Sequence, residues 1–461
     1  MTAPRDARTL GPDGRIEGEV RVPASKSIAQ RALACALLAS GETRLSGLPT
    51  GQDVLHALRS ARAGGARFPS DGKRDDLLAT ALIPRLGRGA LVGAPLGPRE
   101  RPREWAAFPV GESGTSARLF TAIAALARPE GSGAEILPSG SLIGRTSPAL
   151  FSALRAAGAG VEHAATEGGW PVLLTAANPP ARVELESPSS SQEVSALLVA
   201  LAAHPGRRDV HVVGSIPSRG YVDVTMDVLE KFGAVVTAET FQSDGHGDSG
   251  EHFTVRGPLT APNADFHVER DASSAAVALA AGVLSTGELT VVTGVGTDSR
   301  QPDAAFPALM ERFGCDASGS SADQLALEGP PTHGAEIDCS AVPDVAPVLA
   351  AVGAFVARSG ATTTLTGLET LPGKESSRIE VLRHGLAALG YEVRADDRSL
   401  SILGRGSEPQ APVFLDPSGD HRMAFAFALM SLFEPMARVL DPQCVGKSWP
   451  SFWRDLRSPA E

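Results

Sequence analysis

One order of sequence features occurs six times along this chain. A short apolar run leads into a polar turn and then an alanine- and leucine-rich helical segment, followed by a glycine and a second apolar run. The copies begin at Val20, Phe108, Val183, Phe266, Ile337 and Phe414. In the first five copies a second helical segment follows and ends at glycine, which favours the left-handed conformation of helix ends. Such self-similarity restricts the chain to folds built from repeated strand–helix–strand–helix–strand units.

The helical segments that open the copies are apolar nearly all round. A helix of that composition is buried, because it has no polar face to offer water. At 461 residues the chain is also too long for one ordinary hydrophobic core. We therefore predict an α/β fold of two domains, each made of three copies, with the helices inside and the sheets outside. The Pro-rich stretch 256–266, between two groups of three copies, is the predicted linker.

The overall charge and the cysteines limit the class of protein. A net charge of −11 argues against a general nucleic-acid binder, but it leaves room for an anionic substrate held by a few local cations. We expect no signal peptide, and the longest apolar stretch, 345–357, is too short to span a bilayer. The cysteines show no metal-binding spacing; they are Cys35, Cys315, Cys339 and Cys444. These features predict a cytoplasmic protein with reduced thiols.

Basic residues lie at or near the starts of the predicted helices, where the helix dipole disfavours positive charge. They are Lys26, Arg31, Arg118, Lys374, Arg378 and Arg422. One such residue would be an ordinary surface charge. Their recurrence in equivalent positions indicates bound anions, because a helix N-terminus with Arg or Lys suits phosphate or carboxylate. The neighbouring Ser and Asp residues are more simply N-caps, and this is the prediction for Asp271, Ser273 and Ser274.

Seven short motifs occur in a fixed order: SKSIAQR, GTSAR, SSQ, PSRGY, GKESSR, DHRMA and KSWP. In this order and spacing the chain resembles the 5-enolpyruvylshikimate-3-phosphate synthase family over essentially its full length. The resemblance implies a two-domain inside-out α/β barrel, in which each domain has three repeated βαβαββ units with buried helices and outward-facing sheets. It places residues 1–24 and 262–461 in one discontinuous domain, residues 25–261 in the other, and the active site in the cleft between them.

The resemblance implies a transferase reaction. The enolpyruvyl group of phosphoenolpyruvate would pass to the 5-hydroxyl of shikimate 3-phosphate, with release of phosphate, in chorismate and aromatic amino-acid biosynthesis. The route would be addition to a tetrahedral intermediate, followed by elimination. The resemblance further implies that no metal or organic cofactor is needed. It implies that the protein binds the small anions phosphoenolpyruvate and shikimate 3-phosphate, and neither nucleic acid nor a membrane. It also implies that the protein is a monomer.

The resemblance also implies roles for the matching residues. Asp344 would accept the proton of the 5-hydroxyl, while Glu375 and Lys26 would transfer protons at the methylene carbon. Shikimate 3-phosphate would be bound by Lys26, Ser27, Arg31, Ser190, Ser191, Ser218, Tyr221, Asp344 and Lys374. Phosphoenolpyruvate would be bound by Lys26, Gly114, Arg145, Gln192, Arg378, Arg422 and Lys447.

Several residues depart from the family's pattern. Glu112 stands where Asn is usual, and a carboxylate there would repel a bound phosphate unless it is protonated or turned away. The other departures are Ala24, Gln30, Arg270, Thr370 and Ser377. Two alternatives therefore stay open. In the first, the chain would be an enolpyruvyl transferase with a different acceptor. In the second, it would be a paralogue that binds an anionic ligand without turnover.

Overall fold

The computed structural model describes residues 7–11, 14–66, 89–93, 105–242 and 249–456. In these ranges the α-helices are α1 (Lys26–Leu38), α2 (Gln52–Ala63), α3 (Gly114–Leu126), α4 (Pro148–Ala156), α5 (Ser191–Ala202), α6 (Gly220–Lys231), α7 (Ala272–Ser285), α8 (Phe306–Glu311), α9 (Ala346–Ala357), α10 (Arg378–Ala388), α11 (His421–Met430) and α12 (Phe452–Asp455). Short 3₁₀ helices span Gly140–Gly144, Pro302–Ala305 and Pro442–Lys447.

The strands in the same ranges form the sheets of a mixed α/β fold. They are β1 (Gly18–Glu19), β2 (Gly41–Ser46), β3 (Gly89–Gly93), β4 (Ala106–Gly111), β5 (Gly133–Pro138), β6 (Gly160–His163), β7 (Val172–Thr175), β8 (Arg182–Glu186), β9 (Gly206–Val213), β10 (Val235–Gln242), β11 (Ser249–Gly257), β12 (Phe266–His267), β13 (Thr290–Thr293), β14 (Gln324–Leu327), β15 (Glu336–Asp338), β16 (Thr363–Thr366), β17 (Tyr391–Ala395), β18 (Leu400–Arg405), β19 (Val413–Leu415) and β20 (Ala437–Val439).

The chain divides into two compact units. The central unit is Ala24–Val268, and the terminal unit combines Met1–Pro23 with Glu269–Glu461. The predicted linker 256–266 lies inside the central unit, where β11 contains its first residues and β12 begins at its last. Each unit has its own hydrophobic core.

Three four-stranded sheets share one topology. Their strand orders are β4–β5–β7–β6 and β8–β9–β11–β10 in the central unit, and β15–β16–β18–β17 in the terminal unit. In each, the first two strands along the chain are parallel and the remaining neighbours are antiparallel. A parallel pair needs a crossover connection, and α3, α5 and α9 provide it.

The smaller sheets also contain one parallel pair each. The pairs are β2 with β12 in the central unit, and β1 with β13 and β19 with β20 in the terminal unit. Antiparallel β3 and β14 complete two of these sheets. The mixed α/β class predicted from the sequence is confirmed, and the finer inside-out barrel arrangement stays a prediction.

Six helices of the described residues are buried along almost their whole length, namely α1, α3, α5, α7, α9 and α11. Five of them begin at a polar N-cap whose side chain accepts a first-turn N–H: Ser25, Ser113, Ser190, Asp271 and Asp420. The N-cap prediction for Asp271 is confirmed by its 2.8 Å bond from the Ser274 N–H. Within the described ranges, no helix combines the length and apolar content that a membrane crossing requires.

Gly282 of α7 is a point of close approach between this helix and β13. A Cβ at position 282 would lie 2.7 Å from Cβ of Thr290, whose side chain is fully buried. We expect Gly282→Ala to lower the free energy of unfolding by about 1–3 kcal/mol through overpacking. Urea unfolding would measure this loss.

The matched control for this prediction is Gly144→Ala, because a Cβ at 144 meets nothing within 4 Å. It should change the free energy of unfolding by no more than about 0.5 kcal/mol. Equal stability of the two variants would contradict the close approach of α7 and β13.

Candidate active site

Lys26 is the first residue of α1 and pairs with Asp53 of α2. The Lys26 Nζ lies 2.9 Å from Asp53 Oδ2, and the side chains are 17% and 6% exposed. The first turn of α1 contains no acidic residue, so α2 supplies the charge that offsets the unfavourable dipole at Lys26. Asp53 itself lies in the first turn of α2, where a negative charge is favoured.

The buried amide of Gln30 connects the starts of two helices. Its Nε2 donates to the Asp53 carbonyl at 3.3 Å and to Ser113 Oγ at 2.7 Å. Ser113 is the N-cap of α3 and accepts the Ser116 N–H at 3.1 Å. Gln30 thus joins the residue that pairs with Lys26 to the cap that precedes Gly114.

Arg31 is buried and donates hydrogen bonds to uncharged oxygens of the central unit. It donates to the carbonyl four residues earlier and to three further acceptors: Ser27 O (2.9 Å), Thr225 Oγ1 (2.7 Å), Tyr221 O (3.2 Å) and Ser195 Oγ (3.4 Å). Burial lowers the pKa of Arg31 to about 10. A buried guanidinium held by neutral acceptors keeps a strong attraction for an anion.

Arg118 repeats this arrangement on α3. Its Nη1 donates to the Gly114 carbonyl, four residues earlier, at 3.2 Å and to Gln192 Oε1 at 3.0 Å, while its Nε donates to Ser147 Oγ at 2.8 Å. Burial lowers the pKa of Arg118 to about 10, and the negative charge of Glu193 opposes that shift.

Three polar side chains converge on Gly114 at the start of α3. A Cβ there would lie 2.9 Å from Arg118 Nη1, 3.2 Å from Arg145 Nη2 and 3.3 Å from Gln192 Oε1. Two guanidinium groups beside a helix N-terminus form a suitable site for phosphate or carboxylate. Glycine at position 114 leaves room for all three side chains because it has no Cβ.

The predicted serines of the central unit lie on two adjoining turns. Ser190 caps α5, and the Ser191 N–H donates to the Pro217 carbonyl at 3.2 Å. Ser218 follows with φ of 54°, a left-handed conformation that is uncommon for a residue other than glycine. The Tyr221 N–H donates to the Ser218 carbonyl at 3.1 Å. Ser191 therefore connects the SSQ and PSRGY motifs.

Glu112 is held by the 3₁₀ helix Gly140–Gly144. Its Oε2 accepts the Ser141 hydroxyl at 3.0 Å, and a Cβ at Gly140 would lie 3.0 Å from Glu112 Cγ. Gly140 has φ of 50°, a conformation that glycine adopts easily. Glycine at this position therefore allows both the backbone conformation and the close approach of the Glu112 side chain. The hydrogen bond from Ser141 fixes the orientation of the Glu112 side chain, which stands where the family usually has Asn.

In the terminal unit, the buried guanidinium of Arg378 binds three carboxylates. Its nitrogens lie 2.8 Å from Asp420 Oδ2, 2.9 Å from Glu375 Oε2 and 3.0 Å from Asp344 Oδ1. Burial disfavours the charge of Arg378, but Asp420, Glu375 and Asp344 outweigh it and raise the pKa of this guanidinium. The side chain of Arg378 is only 1% exposed, so this network is largely shielded from water.

Three more cations surround the same carboxylates. Arg422 Nη2 lies 2.8 Å from Asp344 Oδ2, and Lys374 Nζ lies 3.6 Å from Asp344 Oδ1. Lys447 Nζ lies 3.1 Å from Glu375 Oε1. The structure thus brings together the six terminal-unit residues that the family resemblance implied, namely Asp344, Lys374, Glu375, Arg378, Arg422 and Lys447.

Asp344 and the nearby buried Asp303 have opposite pKa shifts. Burial raises the pKa of Asp344, but Arg422, Lys374 and Arg378 outweigh it and hold this pKa well below its usual range. Burial, followed by the charge of Asp344, raises the pKa of Asp303 to about 6. Asp344 therefore stays ionised under conditions in which Asp303 holds a proton.

Asp303 connects to the ionic network through Ser273. The Ser273 hydroxyl donates to Asp303 Oδ2 and accepts from Arg422 Nη2 at 3.2 Å. The prediction that Ser273 is only an N-cap was therefore wrong. In the described residues, no group of three or more His, Cys, Asp or Glu side chains is arranged to hold a metal ion.

Several residues of the site were not predicted from the sequence. Of the predicted basic residues, Arg378 is the first residue of α10, and Lys374 lies in the turn that precedes this helix. The missed residues are Asp53, Ser147, Glu193, Asp303 and Asp420. Asp420 belongs to the DHRMA motif, whereas the other four lie outside the seven motifs.

Comparisons with known proteins identify the family. The model of the family "EPSP synthase (3-phosphoshikimate 1-carboxyvinyltransferase)" matches residues 10–456, so the chain belongs to the EPSP synthase family. A 3-phosphoshikimate 1-carboxyvinyltransferase of Pseudoalteromonas atlantica is 30% identical over 451 residues, 97% of each chain. One of Mannheimia haemolytica is 28% identical over 454 residues, 97% of this chain and 98% of the relative.

Solved structures show the same fold. The EPSP synthase of Acinetobacter baumannii superposes with a TM-score of 0.70 at 21% identity, covering 97% of this chain and 96% of the other. The enolpyruvyl transferase NikO from Streptomyces tendae superposes with a TM-score of 0.67 at 19% identity, covering 97% and 95%.

We expect Asp303→Asn to remove a pH-dependent loss of stability. The pKa of Asp303 rises from 3.8 to about 6 on folding, so between about pH 4 and pH 6 the folded state binds more protons. Stability of the wild type must fall through that window relative to Asp303→Asn. Between pH 4 and pH 8 the free energy of unfolding of the wild type should decrease by about 2–3 kcal/mol relative to that of the variant. Urea unfolding between pH 4 and pH 8 would measure the difference.

The control for the pH experiment is Asp316→Asn. Asp316 is exposed, and hydrogen bonds from Ser318 lower its pKa, so its shift has the opposite sign. This variant should show no gain in stability at pH 8. A stability difference between wild type and Asp303→Asn that is constant with pH would contradict the raised pKa.

Proposed function

We propose that this protein transfers the enolpyruvyl group of phosphoenolpyruvate to the 5-hydroxyl of shikimate 3-phosphate and releases phosphate. Membership of the EPSP synthase family over residues 10–456 supports the reaction class. The observation that carries the proposal is the network in which Asp344 and Glu375 share Arg378 among further cations. Such a network offers two carboxylates for acid–base chemistry and several cations for anionic substrates.

The proposal assigns cations of both units to the anionic groups of the substrates. Arg31 with Ser27 takes the carboxylate of shikimate 3-phosphate, because the guanidinium of Arg31 donates to the neutral oxygens described above. The phosphate and ring hydroxyls are assigned to Ser190, Ser191, Ser218 and Lys374, and Tyr221 is assigned to a position against the ring. Phosphoenolpyruvate is assigned to Lys26, Gly114, Arg145, Gln192, Arg378, Arg422 and Lys447.

The proposed reaction has two steps. In the addition, Asp344 accepts the 5-hydroxyl proton as the oxygen bonds to C2 of phosphoenolpyruvate, and the methylene carbon takes a proton from Glu375 or Lys26. In the elimination, that carbon returns a proton while the C2–oxygen bond to phosphate breaks. One proton enters and one leaves the methylene carbon, so the enolpyruvyl double bond is restored.

The low pKa of Asp344 makes it a weak base unless its surroundings change. Its carboxylate accepts from Arg378 and Arg422. A substrate carboxylate or phosphate that shares these guanidinium groups would reduce their stabilisation of the Asp344 anion. We propose that substrate binding in this way raises the pKa of Asp344 toward the range that suits proton abstraction.

The test is phosphate release by the purified protein with phosphoenolpyruvate and shikimate 3-phosphate, alone and together. Release should require both substrates. Asp344→Asn should slow it by at least about a thousandfold, since it removes the base and a charge. The control is Asp338→Asn, whose exposed carboxylate binds the Ser340 N–H, and it should keep wild-type rates.

The other outcomes of this test separate the alternatives. Phosphate release that needs another hydroxyl compound in place of shikimate 3-phosphate would identify an enolpyruvyl transferase with a different acceptor. Calorimetric binding of both substrates without release would identify an anion-binding paralogue. Wild-type rates for Asp344→Asn would overturn its assignment as the base.

We expect Gly114→Ala to weaken phosphoenolpyruvate binding without unfolding the protein. The added Cβ would displace the ends of Arg118, Arg145 and Gln192, which are flexible side chains rather than backbone. The KM for phosphoenolpyruvate should rise by about tenfold or more, while the KM for shikimate 3-phosphate changes less.

The control for this prediction is Gly404→Ala in β18, where a Cβ meets nothing within 4 Å. It should leave both KM values unchanged. An unchanged KM for phosphoenolpyruvate in Gly114→Ala would remove Gly114 from the proposed binding site.

A further inference from the structure

Glu193 is a fully buried carboxylate of the central unit that the proposed reaction does not use. It lies in the first turn of α5, directly after the SSQ motif. Its Oε2 accepts the Ser189 N–H at 2.8 Å, and its Oε1 accepts the Ser189 hydroxyl at 3.2 Å and the Ser147 hydroxyl. A buried carboxylate costs stability unless it is well bonded, so three donors explain how it is tolerated but not why it is there.

An ordinary capping box does not account for these contacts. In that motif the third helical residue bonds the N–H of the N-cap. The N-cap of α5 is Ser190, yet Glu193 bonds Ser189, the residue before it. Its second oxygen reaches Ser147, which is 46 residues away in the chain. Glu193 therefore connects two separate segments rather than closing one helix end.

Ser147 uses its hydroxyl for this connection and not for its own helix. It occupies the N-cap position of α4 but makes no side-chain cap bond. Its hydroxyl instead donates to Glu193 and accepts from Arg118 Nε at 2.8 Å. Because a serine at this position normally caps, its different partners indicate that the connection has a role.

The two ends of the connection lie beside the two groups of proposed binding residues. Through Ser147 it reaches Arg118, which bonds Gln192 and contacts Gly114. Through Ser189 it reaches the turn that continues into Ser190 and Ser191.

We propose that Glu193 is a positioning residue. It fixes the positions of the phosphoenolpyruvate-binding and shikimate 3-phosphate-binding residues of the central unit relative to each other. This rests on the proposed function. Glu193 acts through Ser147 on one group and through Ser189 on the other, and it touches neither substrate. Its charge also supports the cation of Arg118, since burial lowers the pKa of that guanidinium and Glu193 opposes the shift.

The first experiment compares Glu193→Gln with the wild type. The amide keeps the size of the side chain but loses the charge and one acceptor oxygen. We expect the KM for both substrates to rise about five- to tenfold, since each group loses a hydrogen bond to a charged acceptor.

Ser147→Ala separates the two arms of the connection. It breaks the link to Arg118 but leaves both Ser189 bonds, so it should raise the KM for phosphoenolpyruvate alone. In the double variant with Glu193→Gln, the rise in this KM should be smaller than the product of the single effects. Ser147→Ala leaves the buried charge in place, so it tests the proposal even if Glu193→Gln does not fold.

Glu434→Gln is the matched control. Glu434 is also buried, at 1% exposure, and accepts from Tyr391 at 2.6 Å and from Arg405 in the terminal unit. This variant should lower the melting temperature without changing either KM. A general loss of stability would affect Glu193→Gln and Glu434→Gln alike, whereas positioning changes KM only in the former.

Hydrogen exchange and calorimetry make the outcome independent of turnover. Glu193→Gln should speed amide exchange in residues 187–192 about tenfold and weaken the binding of both substrates. Unchanged exchange, or unchanged affinity despite faster exchange, would overturn the proposal. If the wild type releases no phosphate, the proposed function fails, while these two measurements still decide the role of Glu193.

Discussion

The burial of Arg378 is the constraint on which the terminal unit's site depends. A guanidinium with 1% exposure needs compensation, and Asp344, Glu375 and Asp420 provide it within 3.0 Å. The same contacts fix the two carboxylates that the proposed chemistry uses. Asp420 also caps α11, so the helix start and the ionic network share one side chain.

The central unit balances its buried cations in a different way. Arg31 and Arg118 donate hydrogen bonds to carbonyl, hydroxyl and amide oxygens, and burial lowers the pKa of each guanidinium to about 10. Each reaches back to the carbonyl four residues earlier in its own helix. Cations stabilised by neutral partners gain more from an incoming anion than cations that already share carboxylates.

The sequence predicted the features that depend on local pattern. Helices that are apolar all round are buried in the structure, and the caps before α1 and α3 are serines, as N-cap preference requires. The motifs contain most of the charged residues that meet around Arg378, and the family resemblance indicated Asp344, which lies outside them. In the central unit, the partners of Lys26 and Arg118 were not predictable, because Asp53 and Ser147 lie in distant segments of the chain. Lys374 and Glu375 lie in the turn before α10, where they form ion pairs with the sequence-distant Asp344 and Lys447.

The division of the chain has a consequence for its synthesis. The central unit is one continuous stretch, so all of its residues have been made once the ribosome has passed Val268. The terminal unit begins earlier but is completed later, since β1 at Gly18–Glu19 pairs with β13 at Thr290–Val291. β1 therefore has no β13 to pair with while the whole central unit is being translated. Contacts so distant in sequence form slowly, and N-terminal segments fold first only when their partners exist. The order of translation thus favours folding of the enclosed unit before the unit that encloses it in the sequence.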